Sequence, residues 1–160
     1  MIASTTVDTN IAPRSATTTA TDTWKAALLE AGTESRSQYR KDLDTAKSAI
    51  WPYFATYLGM AEAESKSRND YSGSFNTAML ALNQSEASLK HAKLLAQTAV
   101  QINEINICRN QITVMKTLMK NTMKPTLASR DPVKVKAAHD TIYREKGKFD
   151  VIMRRLLSQP

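Results

Sequence analysis

Residues 131–157 read DPVKVKAAHDTIYREKGKFDVIMRRLL, and their spacing decides the fold class. Val135, Ala138, Ile142, Phe149, Ile152, Met153 and Leu156 fall on one stripe at helical spacing. Asp131 offers a carboxylate to the orphan N–H groups of a helix start, and Pro132 suits the first helical position because it has no N–H to lose. The stretch therefore predicts a strongly amphipathic helix over about 132–157. Gly147 sits inside it at a cost of about 1 kcal/mol against alanine. Lys136, Arg144, Lys148, Arg154 and Arg155 occupy the opposite arc.

Upstream, the stretch 75–124 contains nothing that obliges a helix to stop, apart from a weak capping pattern at Asn83 and Glu86. It reads as a long central helix whose apolar stripe changes sides. Leu89, Ala92, Ala96 and Ala99 share one face, and Ile105, Cys108, Ile112, Met115 and Met119 share another. A bend near 100–105, or two halves packed on different neighbours, would reconcile them. Pro125 is expected to open a short loop toward Asp131. Residues 65–74, SKSRNDYSGS, read as a loop.

Toward the N-terminus, Tyr39, Leu43, Ala46 and Ile50 make a narrow stripe over a helix at 34–50, which Pro52 would break or kink before a third segment. A short helix with Trp24, Leu28 and Ala31 on one side would precede it, capped at Asp22 or Thr23 and stopped by Gly32. Residues 1–22 contain nine Ser/Thr and no periodic apolar face, so they read as a flexible tail. The prediction is an all-α protein: an elongated bundle of four to five helices, a single domain over 23–160 behind that tail.

Composition agrees with this. The 160 residues hold four glycines, five prolines and 6% aromatics, too few turn and strand signals for a β fold. The single cysteine, Cys108, excludes an internal disulfide and reads as a buried thiol. No apolar run approaches the ~20 residues of a membrane span, and no apolar segment of a Sec signal peptide opens the chain. The net charge of +7 is local: residues 1–115 are neutral, and residues 116–160 hold 11 Lys/Arg against Asp131, Asp140, Glu145 and Asp150. An anionic partner is one expectation from that asymmetry.

Catalytic apparatus is not evident. Glycines 32, 59, 73 and 147 are isolated, so no loop cradles phosphate. His91 and His139 lack zinc-site neighbours, and the paired carboxylates Asp42/Asp44 and Glu62/Glu64 are two apart and diverge on a helix, which reads as a solvated face. Neither an enzymatic activity, a metal nor a cofactor is expected. The methionines at 115, 119, 123 and 153 read as core filler.

Two segments carry a resemblance. MIASTTVDTNIAPRSATTTATD (1–22) resembles the uncleaved, Ser/Thr-rich export signals of bacterial type III secretion. KPTLASRDPVKVKAAHDTIYREKGKFDVIMRRLL (124–157) resembles the D-P turn and C-terminal helix of needle and inner-rod subunits, where that helix packs against copies of itself. Those subunits are much shorter hairpins, and this chain has about 100 residues more. The resemblance therefore implies an exported accessory or assembly protein rather than the filament subunit. It would pass from the bacterial cytoplasm by a route that needs no cleaved signal.

The leading functional expectation is a non-enzymatic protein acting on other helical subunits, or on itself, with Ile142, Phe149, Ile152 and Leu156 as the contact stripe. The alternative is a nucleic-acid-binding or virion structural protein in which Lys136, Arg144, Lys148, Arg154 and Arg155 contact phosphates.

Overall fold

A computed structural model describes residues 22–50 and 72–159. The described elements are α1 (22–50), α2 (Ser72–Leu95), α3 (Ala99–Leu118), a π-helical turn (Met119–Met123), α4 (Lys124–Ser129) and α5 (Pro132–Ser158). All are helical, as the composition predicts. Chain contacts divide the molecule into two units, 1–37 and 38–160. Within the first unit, 22–37 is helical through Gly32, which does not stop the helix. The tail before residue 22, the segment after Pro52 and most of the 65–74 loop lie outside the described residues. Residues 72–74 of that loop are already in α2.

The second unit is a four-helix bundle built from 38–50 of α1 with α2, α3 and α5. Paired contacts set the directions. Ser85 Oγ donates to the Ala46 carbonyl at 2.8 Å, while His91 reaches Asp42, so α1 and α2 run antiparallel. Gln111 meets Glu145, and Glu104 meets Arg155 and Gln159, so α3 and α5 also run antiparallel. α3 packs extensively against α5. Its core includes Ile105, Cys108, Ile112, Met115, Val135, Ile142, Phe149, Met153 and Leu156, all buried. Ala78, Ala81, Ser85 and Ala92 bring small side chains to the inner face of α2, which lets neighbouring backbones approach closely.

The 75–124 stretch is two helices, not one. The chain leaves α2 at Leu95 and restarts at Ala99. Thr98 is the reason: its side chain accepts the Gln101 N–H, and the Gln101 side chain accepts the Thr98 N–H, a reciprocal capping box. The corner falls at 96–98 rather than 100–105, and Asn83 and Glu86 lie inside α2 without interrupting it. That corner accounts for the change of stripe: Leu89 and Ala92 are buried with α2, while Ile105, Cys108, Ile112, Met115 and Met119 are buried with α3.

At its far end α3 passes into the π turn. Buried residues alternate by three and four up to Met119, then step by four through Met123 to Leu127. An α-helix advances about 40° too far at each step of four. A π turn takes more residues per turn and cancels this drift, so Met119, Met123 and Leu127 all face inward. Pro125 does not begin a loop: it stands in the first turn of α4, and the connection is confined to Arg130 and Asp131. Asp131 caps α5 as expected, accepting from the Val133 and Lys134 N–H groups.

Candidate functional site

The apolar stripe expected to meet a partner lies inside the bundle. Ile142, Phe149, Ile152 and Leu156 are all buried in the core that α5 shares with α3. The physical reason is the second face of the 75–124 stretch: α3 offers an equally long apolar stripe within the same chain. Intramolecular packing satisfies both without a second protein.

The basic arc is outside but largely neutralised. Lys136 pairs with Asp140 at 3.4 Å, Lys148 with Glu145 at 2.8 Å, and Arg155 with Glu104 at 3.6 Å. Arg144 and Arg154 are exposed and form no ion pair among the described residues. Glu145 is held below the ordinary carboxylate range by the hydrogen bond from Lys148 and then by that from Gln111.

Lys146 is the unexpected member of α5. It is 2% exposed, and its ammonium reaches Asp150, one turn on, at 2.7 Å and lies 5.8 Å from the centre of the Tyr143 ring. The seven-residue gap between Ile142 and Phe149 requires an inward residue, and Lys146 takes that place. Its head meets a carboxylate, which avoids an unpaired buried charge.

A surface depression lies between α2 and α3. Ala87, Lys90, His91, Lys93 and Leu94 of α2, with Ile102 and Arg109 of α3, line an open depression of about 640 Å³. Ala87, Leu94 and Ile102 give it apolar patches, and cations surround them. Glu86 sits beneath as a hub: Lys116 donates to it, and Lys90 and Arg109 approach at 4.0 Å. The Lys116 hydrogen bond pulls the Glu86 pKa down, against the opposing effect of burial. Nearby, His91 Nδ1 lies 2.5 Å from Asp42 Oδ2, and Gln38 donates to the other Asp42 oxygen at 2.8 Å. Asp42 is thus buried and engaged, unlike the solvated carboxylate the sequence suggested, whereas Asp44 is exposed as expected.

The depression holds cations, a histidine and apolar side chains. Among the described residues no group of three His, Cys, Asp or Glu could hold a metal ion, and no helix is long and apolar enough to cross a membrane. Cys108 is buried, with Sγ 3.6 Å from Met153 Sδ. Burial, and then the Glu104 carboxylate, push its thiol up to about 12, so it is no nucleophile at neutral pH.

The features the sequence reading missed are the Glu86 hub, the His91–Asp42 contact and buried Lys146. Each joins residues that face each other only once the helices are paired, except Lys146, which the stripe spacing signalled. No protein family, curated protein or solved structure matches this chain.

Proposed function

We propose that the protein is a non-enzymatic interaction protein that acts as an accessory or assembly factor on other helical subunits, and that residues 1–22 direct its export through a type III apparatus. The observation that carries the reading is a set of exposed apolar side chains on the helix of the first unit. Trp24, Leu28 and Leu29 are 66%, 53% and 70% exposed. Trp24 and Leu28 are four residues apart and therefore share a face. Large apolar residues at helical spacing are what a helical partner's groove takes up, and tryptophan is a frequent anchor of such contacts. The C-terminal stripe is spent on the protein's own core, so 22–37 carries the partner contact in this reading.

A photo-crosslinking amino acid at position 28, in cells assembling the apparatus, tests the first half. An adduct with a helical subunit, lost on Trp24→Glu, is expected; no adduct from position 28 overturns it. For the second half, deletion of residues 2–21 should abolish secretion, and undiminished secretion of the shortened chain overturns it.

A further inference from the structure

The connection from α3 to α5 gathers positive charge that no carboxylate pairs with among the described residues. Lys120, on the π turn, and Lys124, at the start of α4, are four residues apart, each one position beyond a buried methionine, Met119 and Met123. Arg130 is in the connection itself and Lys134 in the first turn of α5. The π turn, α4 and α5 are in mutual contact, which brings the four to one end of the second unit. All four are exposed, and none forms an ion pair among the described residues. The flanking cations differ: Lys116 is taken by Glu86 and Lys136 by Asp140. The one acid within the connection, Asp131, spends its carboxylate on the N–H groups of α5.

Arg130 adds a second, independent observation. Its φ of 54° places it in the left-handed region, where glycine would be the unstrained choice. Arginine stands at a position where stability alone favours glycine, in the middle of the cation group. Backbone strain of this kind collects at functional positions.

The surroundings select the partner. Among the described residues Phe75 is the nearby aromatic ring, and Lys124 already lies over it at 5.5 Å, so none of them offers a free ring for stacking on unpaired bases. Val133 is the one strongly exposed large apolar residue of the segment 119–136, too little to enter a bilayer interface. What these elements bring to one end of the unit is four exposed point charges, the kind of group that contacts phosphates.

We propose that this end of the bundle binds the phosphate backbone of duplex nucleic acid without regard to sequence, through Lys120, Lys124, Arg130 and Lys134. The face is distinct from the arc of Arg144, Lys148, Arg154 and Arg155, and it goes beyond the helical-subunit reading, whose residues it does not share. Four phosphate contacts give a slope of log K against log salt near −3.6, so affinity rises about 150-fold between about 200 and about 50 mM salt.

Fluorescence anisotropy of a short mixed-sequence duplex with the full chain reads this directly. Wild-type protein should bind with that slope, and the variant with Lys120, Lys124, Arg130 and Lys134 all changed to Gln should lose it. The pair Arg144→Gln and Arg154→Gln should leave the slope unchanged. Arg130→Gly guards against a folding artefact, because it should hold or raise Tm while reducing the slope by about 0.9. Absence of duplex binding at low salt overturns the proposal, as does equal weakening by the Arg144/Arg154 pair. Binding to phosphatidylserine vesicles without binding to duplex overturns it as well.

Discussion

Phe149→Ala separates the two roles open to the C-terminal stripe. If Phe149 were a partner contact, its loss would leave the free protein intact. In the structure it is 0% exposed and is the bulkiest fully buried side chain among the described residues, at the interface where α5 lies on α3. Truncation of a buried phenylalanine removes its transfer free energy and leaves a cavity the neighbours fill only in part, a cost of about 3–5 kcal/mol. With a urea m-value of about 2 kcal/mol/M for a unit of this size, a loss of about 4 kcal/mol lowers the midpoint by roughly 2 M. Urea titration followed by far-UV circular dichroism measures it on the isolated chain. Val151→Ala is the matched control on the same helix: Val151 is 51% exposed, so its change should stay within about 0.5 kcal/mol. A Phe149→Ala cost below about 1 kcal/mol would refute the packing described and return the stripe to the surface.

Gly147 has open space where a Cβ would stand and an ordinary helical φ, so Gly147→Ala should raise stability by about 0.5–1 kcal/mol, read as an increase in Tm. Asp131→Ala removes the acceptor for two N–H groups of α5 and should cost about 1 kcal/mol in the same denaturation assay. The Glu86 pKa is lowered in the folded state, chiefly by Lys116. Its contribution is therefore present above the unfolded value near 4.5 and is lost as pH falls through the lower folded value. Glu86→Gln should accordingly lose stability at neutral pH and show a shallower acid limb in a series of denaturation curves from pH 7 downward.

Much of this architecture can be read from residue spacing. The stripe of α5, its Asp131–Pro132 start, the Leu43–Ala46–Ile50 face and the run from Ile105 to Met119 follow from periodicity, because each buries a face that recurs at helical intervals. The α2–α3 corner is legible only in part. Thr98 and Gln101 form the S/T-x-x-E/Q pattern, but alanine, leucine and glutamine on both sides favour helix, and Asn83 and Glu86 have the same spacing inside an unbroken helix. Pro125 misleads for a related reason: proline is as suitable in a helix's first turn as in a loop. The candidate site is less legible still. Glu86 and Lys116, or His91 and Asp42, are tens of residues apart, and only helix pairing makes them neighbours. The exposed C-terminal charges carry the opposite lesson, since a net charge counted along the chain says nothing of which cations have already found carboxylates.

α5 closes over α3 within one chain, and Cys108 reports on that closure. It is the only thiol, is 0% exposed and lies 3.6 Å from Met153 of α5. Its reaction with a chromogenic disulfide reagent, timed in native buffer and in denaturant, measures how often α5 lifts away. With burial and a thiol pushed up to about 12, modification in native buffer should be slower than in denaturant by at least about a thousandfold, the factor set by opening free energies above about 4 kcal/mol. Native-state labelling within about tenfold of the denatured rate would contradict the account, because it would mean that the apolar face of α5 is free for something else.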